Sequence, residues 1–352
     1  MADAELFSPF PTPPVRDHTI EVAPGVHWFW TALPFRLGTV NHWLIRDHDG
    51  WTMIDCGFPN PSVQAQFEAI WSTRLEGLPI TRLVVTHHHP DHAGNCRWIC
   101  ERWGIVPTMT DIAYHEAQAI LGPAWKDRTS QRLAFWHRYG VPTSIGAEID
   151  TFWNQGRDRF AALPERWHSL KEGDVLQIRS NEWQVILAEG HAPNQALLHA
   201  PAMDLLIAAD QILPGISPNI SDLTDRPDAM LLAGFLDSNR RIAQVCGDVL
   251  VLPSHGAPFR GLHARIEELD SHHEQRLLAA EDALISGPRT AADLIPHLFG
   301  RQLSGFDVAL ALGEAIAHLQ YLVHQGRALR VEQNGIVLYS ASPRRDSAAS
   351  GE

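Results

Sequence analysis

In the stretch Thr86-His87-His88-His89-Pro90-Asp91-His92, a His-x-His-x-Asp-His spacing places three imidazoles and one carboxylate within six residues. Neutral imidazole nitrogen and carboxylate oxygen are the ligands that a borderline cation such as zinc prefers. His87 and His89, two apart, can reach one ion together, and Asp91 and His92 can turn to a second ion beside it. Pro90 fixes its own φ and stiffens the loop. A histidine run can also be a bare surface feature or a purification tag. A tag would lie in a flexible terminus, whereas this run follows a strand pattern.

That pattern is the short β-branched segment 82–85, which reads as a buried strand. Residues 96–103 read as a helix closed by Gly104. The cluster thus sits on a strand-to-helix loop, where a rigid scaffold presents side chains. The arrangement recurs along the chain. Asp55 follows the strand pattern 51–54, Gly190-His191 follows 183–188, Asp210 follows 205–209, and Ser254-His255-Gly256 follows 249–253. Taken singly, His191, Asp210 or His255 would read as an ordinary structural residue. Grouped with the first cluster, they read as ligands gathered at one edge of an α/β scaffold.

Asp55-Cys56-Gly57, His87-x-His89-x-Asp91-His92, Gly190-His191, Asp210 and Ser254-His255-Gly256 resemble the five ordered motifs of the metallo-β-lactamase superfamily, over roughly residues 20 to 260. The resemblance implies an α/β fold, an αββα four-layer sandwich with metals at one edge. It implies that His87, His89 and His191 hold one ion, that Asp91, His92 and His255 hold the other, and that Asp210 bridges them. Asp55 would orient a ligand histidine by hydrogen bond. His88, at the variable position of the motif, is not assigned. Ala209 stands before Asp210 where many relatives have glycine. Two divalent ions, zinc first with iron or manganese also compatible, would activate a shared water, and metal-bound hydroxide would attack an electrophilic carbon or phosphorus. Asp91 would hold that water and carry a proton.

The remainder of the chain bears on the substrate. Its 352 residues carry a net charge of −13, with 28 basic and 41 acidic residues, and its lysines are Lys126 and Lys171. Such a balance is poor for following a polyanion. The four cysteines, Cys56, Cys96, Cys100 and Cys246, form no C-x-x-C pair and read as small buried residues. With no signal peptide and no apolar run of membrane-spanning length, the sequence reads as cytoplasmic.

Residues 18–286 are expected to form the catalytic domain. Within it, 105–170, rich in tryptophan and broken by Pro123 and Gly140-Val141-Pro142, reads as an inserted helical lid, with Trp125 and Trp136 lining the pocket. Gly287-Pro288 opens a small module, 287–340. Helical patterns at 290–298 and 306–324 precede a hairpin turning at Gln333-Asn334-Gly335, a winged-helix-like order. Related hydrolases that carry an appended winged helix include a single-strand endoribonuclease and thioesterase-like enzymes. Arg327 and Arg330 are too few for a phosphate track, so the module is expected to pack on the catalytic domain or on a second subunit of a homodimer.

Hydrolysis of a small ester, thioester or lactone is therefore the leading reading. A single-strand nuclease or phosphodiesterase, or a β-lactam hydrolase, stands as the alternative. A di-iron redox protein fits less well, because no room remains for a flavin-binding domain after residue 290.

Overall fold

The computed structural model describes residues 6–343 other than 35, 123, 124, 126, 127, 156, 222–228, 301, 302, 304 and 305. The chain divides into two compact units. The first comprises Met1–Asp127, Gly156–Pro218 and Gly234–Leu269, and the second Arg128–Gln155, Asn219–Ala233 and Asp270–Glu352.

In the first unit, β1 (Ile20–Ala23), β2 (Val26–Ala32), β3 (Thr39–Arg46), β4 (Trp51–Ile54), β5 (Ile80–Val84), β6 (Pro107–Met109) and β7 (His168–Ser169) form a seven-stranded sheet in that order. Pairing is antiparallel from β1 to β4 and parallel from β4 to β7. A second sheet holds β8 (Val175–Ile178), β9 (Asn181–Ala188), β10 (Gln195–Ala200), β11 (Leu205–Ala209) and β12 (Leu250–Pro253), in the order β12-β11-β10-β9-β8. There β11 and β12 are parallel, and the remaining pairs are antiparallel.

The side-chain period of two splits each central strand between two apolar layers. Trp28, Trp43, Ile54 and Val84 face Trp183, Val185, Leu198 and Leu252 of the second sheet. Their sequence neighbours Phe29, Leu44, Met53 and Leu83 face outward onto α1 (Pro61–Arg74), α3 (Cys96–Trp103) and α4 (Asp111–Leu121). The one-turn helix α2 (Pro90–Ala93) lies between α1 and α3 in the chain. Burying each such side chain contributes about 1.5–3 kcal/mol. Pro61 opens α1, where Asn60 accepts the Ser62 N–H, and Gly104 ends α3 at φ 67°.

On the far side, α7 (Leu231–Val245) ties to the second sheet. Ser238 Oγ accepts from the Glu189 N–H at 2.9 Å, and Arg241 donates to the Leu187 carbonyl at 2.6 Å. The layers are thus helix, sheet, sheet and helix, the αββα sandwich expected.

The second unit contains α5 (Thr129–Arg138), α6 (Thr143–Asn154), most of α8 (Leu262–Ile285), α9 (Ala291–Phe299), α10 (Phe306–His324) and the hairpin β13 (Ala328–Gln333)–β14 (Ile336–Ala341). Asn334 and Gly335 turn that hairpin at φ 52° and 78°, the left-handed pair a two-residue turn requires. A capping box of Thr290 and Asp293 starts α9. The stretch 105–170 is divided between the units. Residues 128–155 join the C-terminal elements, where the Ala292 N–H donates to the Tyr139 carbonyl at 3.1 Å and Arg138 pairs with Glu332 at 2.8 Å. Trp136 accordingly belongs to the second unit. Trp125 belongs to the first, with the Arg157 guanidinium 4.0 Å over its ring. No helix among the described residues is long and apolar enough to cross a membrane.

Candidate metal centre

Strand direction explains why the ligand candidates meet. β4 and β5 are parallel neighbours, so Asp55 and the 86–92 loop leave the first sheet at one edge. β9, β11 and β12 run the same way in the second sheet, so the β9–β10 turn with His191, the end of β11 with Asp210 and the end of β12 with His255 share one edge as well. Two backbone bonds fasten the edges together. The Ala196 N–H donates to the Thr86 carbonyl at 2.9 Å, and the Asn41 N–H donates to the Ser254 carbonyl at 2.7 Å.

His87, His89 and His191 bring one nitrogen each within 4.8 Å of one another, as do the ligand atoms of Asp91, His92 and His255. His87, His92 and Asp210 form a third such group, which overlaps both. Asp210 Oδ1 lies 3.4 Å from His92 Nε2, and its Oδ2 lies 3.4 Å from His191 Nε2 and 3.3 Å from His255 Nε2. Asp91 Oδ2 lies 3.6 Å from both His92 Nε2 and His255 Nε2.

These separations fit cations. Ligands about 2.0–2.1 Å from a tetrahedral ion stand about 3.3 Å apart. His92 Nε2 and Asp210 Oδ1 face each other while buried, and neither makes a hydrogen bond. Buried polar atoms without partners are costly unless something binds them. The donor set of imidazole nitrogen and carboxylate oxygen, with no thiolate, suits zinc, iron or manganese.

The surrounding charges agree. Burial, reinforced by neighbouring histidines, holds His87 and His89 well below the usual imidazole range, in the neutral form that coordinates. Burial also works against a charge on His92, but the carboxylates of Asp210, Asp91 and Asp55 outweigh it and raise His92 to about 10. His255 is raised too, its burial outweighed chiefly by Asp210. Asp210 is buried as well, yet His255, His92 and His191 hold it well below the usual carboxylate range. A divalent cation would take the place of those histidine protons.

The outer bonds fix the ring orientations. Asp55 Oδ2 accepts from His92 Nδ1 at 2.8 Å and from Thr86 Oγ1 at 2.9 Å, while Oδ1 accepts the Thr86 N–H at 2.8 Å. His255 Nδ1 donates to the Thr39 carbonyl at 2.7 Å. Each bond leaves the Nε2 lone pair toward the cluster. Pro90 at the first position of α2 and Asp91 in its first turn suit a helix N-terminus. Gly94 lets α2 lie flush on the Asp55 loop, for a Cβ there would stand 2.3 Å from Pro59 Cδ. His88 is buried beside His89 with ring centroids 4.5 Å apart, and it belongs to none of the ligand groups among the described residues.

All eight residues singled out from the sequence, Asp55, His87, His89, Asp91, His92, His191, Asp210 and His255, come together here. Thr39, Asn41, Thr86 and Asn95 were not singled out. Asn95 donates from its amide to the carbonyls of Cys56, Gly57 and Phe58 at 3.0, 3.2 and 2.8 Å, which pins the loop behind Asp55. The available signal was a polar residue inside or just after an apolar run, as in Val40-Asn41-His42-Trp43.

The sequence matches the family profile described as Metallo-beta-lactamase superfamily over residues 35–255, and that described as Metallo-beta-lactamase-like, C-terminal domain over residues 277–342. It is similar to the probable metallo-hydrolase YqjP of Bacillus subtilis, at 26% identity over 82% of this chain and 89% of that protein. Among solved structures, a beta-lactamase domain protein from Burkholderia ambifaria superposes with a TM-score of 0.89 at 36% identity, covering 97% of this chain and 99% of the other. A metallo-beta-lactamase family protein from Thermus thermophilus gives 0.77 at 25% identity, over 91% and 100%.

Proposed function

We propose, from the premise that the chain belongs to the metallo-β-lactamase superfamily and is a metallo-hydrolase, that it cleaves an ester, thioester or lactone of a small molecule with two divalent cations at adjoining positions. The observation that carries the reading is Asp210, whose two oxygens reach ligands of both groups, His191 on one side and His92 and His255 on the other. When bound, the cations, zinc first among those the donors suit, supply a readily deprotonated water and a positive pole for the charge developing on the substrate oxygen.

The chain's own residues do the rest. His87, His89 and His191 would hold one cation, Asp91, His92 and His255 the other, and Asp210 both. Asp55 keeps the proton of His92 on Nδ1, and the Thr39 carbonyl does the same for His255. Asp91 has 15% of its side chain exposed, against 7% for Asp210, and so is the more open carboxylate. It is the proposed carrier of a proton from the attacking water to the leaving group.

The charge balance supports a small substrate. A nuclease tracks phosphates with lysine and arginine, and this chain has 41 acidic residues against 28 basic ones. The test strips the protein with a chelator, restores zinc, iron or manganese separately, and assays an ester, thioester, lactone and β-lactam panel beside single-stranded RNA and DNA. Carbonyl turnover that disappears with the metal and returns with it is expected. Metal-dependent RNA cleavage without turnover on the carbonyl panel would transfer the assignment to a nuclease.

A further inference from the structure

His255 sits in a tight segment, Pro253-Ser254-His255-Gly256, whose end residues present backbone carbonyls to the first sheet. Among the described residues, the polar ties of that segment to the first sheet run to two residues of β3. The Asn41 amide Nδ2 donates to the Pro253 carbonyl at 2.8 Å and to the Gly256 carbonyl at 2.7 Å, so one side chain bridges the segment from before His255 to after it. Its backbone N–H donates to the Ser254 carbonyl between them at 2.7 Å, and two residues earlier the Thr39 carbonyl receives His255 Nδ1. The orientation of the amide is fixed as well. Trp28 Nε1, which only donates, points at Asn41 Oδ1 from 2.8 Å, so the two N–H bonds must face the carbonyls. Asn41 is 3% exposed, and no solvent competes for these bonds.

We infer that Asn41 is a positioning residue for His255, setting the place of its imidazole against Asp91 and Asp210 without touching substrate or cation. The inference rests on the reading of His255 as a ligand, and it adds a selective consequence. His87, His89 and His191 hang from the β5–α2 loop and the β9–β10 turn, and among the described residues Asn41 makes no hydrogen bond to either. Loss of the amide should therefore loosen one cation and spare the other. An outer residue that orients a ligand is worth about 10- to 100-fold in metal affinity.

The experiment titrates metal-free wild type, Asn41→Ala, Asn41→Leu and His255→Ala with Zn2+ by calorimetry, and follows Co2+ loading by its visible spectrum. Asn41→Leu keeps the branched shape of the side chain and removes both N–H donors without leaving a cavity or burying a charge, so it serves if the alanine variant does not fold. Both Asn41 variants are expected to weaken one of the two binding steps about 10- to 100-fold and to change the other less than about threefold. The weakened step should be the one that His255→Ala abolishes, and the Co2+ spectrum should change at that step alone. Equal weakening of both steps, or none, with His255→Ala still losing one ion, overturns the role of Asn41 and leaves the ligand reading intact. Two unaltered binding steps in His255→Ala overturn the ligand reading itself, and the inference with it.

Discussion

Replacing Asp55 removes the acceptor for three buried donors at once: the Thr86 N–H, the Thr86 hydroxyl and His92 Nδ1, at 2.8, 2.9 and 2.8 Å. A buried donor left without an acceptor costs about 1–3 kcal/mol, so orphaning three of them in Asp55→Ala should destabilise the metal-free protein by about 3–9 kcal/mol. That is a large fraction of the roughly 5–15 kcal/mol that folded domains possess. Part of the alanine effect is backbone strain, because residue 55 has φ 63°, a region that aspartate and asparagine tolerate better than alanine.

Asp55→Asn separates the two effects. It keeps the shape and the tolerance, but its amide must turn one N–H toward a donor, either at Thr86 or at His92. The expected loss is about 2–3 kcal/mol, close to one charge-assisted hydrogen bond. Zinc affinity should fall about 10- to 100-fold, since a neutral amide oxygen, or no acceptor at all, replaces the carboxylate that fixes the His92 tautomer. Urea unfolding of the metal-free proteins and zinc titration of the same samples give the two numbers. An Asp55→Asn protein within about 0.5 kcal/mol of wild type, with unchanged zinc affinity, would refute the claim that Asp55 orients His92.

Asp210→Ala should reduce bound metal from two ions per chain to at most one and lower turnover by at least about a hundredfold; elemental analysis beside the activity assay checks both, and two tightly bound ions with full activity would remove Asp210 from the centre. Ala209 stands at φ 47°, where an L-residue is strained and glycine is not, so Ala209→Gly should stabilise the protein by about 1 kcal/mol in denaturant unfolding. In the second unit, burial raises Glu314 to about 7 against the opposing charge of Arg276. The folded state therefore binds the proton more tightly than the unfolded state, and this residue's contribution falls as pH rises from about 4.5 to about 7. Glu314→Gln should remove that slope and be the more stable protein at pH 8, by up to about 3 kcal/mol. The comparison is with wild type at each pH, so that the buried His273 and His318, held low by burial, titrate alike in both proteins. Equal slopes in the two proteins would show that Glu314 is charged throughout.

Where side-chain period and turn chemistry agreed, the elements were legible in the chain. Cys96–Trp103 with Gly104, Leu205–Ala209 and the Asn334-Gly335 hairpin stand where the residues place them, because caps, apolar strand runs and positive-φ turns are local properties. The grouping of 128–155 with the C-terminal elements was not legible. It depends on contacts such as Tyr139 with Ala292, between residues far apart in the chain, and no periodicity records them.

The candidate site divides along the same line. The residue types and their order at strand ends named all eight positions, since ligand chemistry restricts the side chains to histidine and carboxylate, and a strand end is visible in the pattern. Which atoms meet was decided by the parallel pairing of β4 with β5 and of β11 with β12, which brings four chain segments to one place. The holders of the site, Asn41, Thr39, Thr86 and Asn95, act through backbone carbonyls and N–H groups. Every residue carries those groups, so a sequence gives no sign of which of them a buried amide or hydroxyl will reach until the sheets have packed.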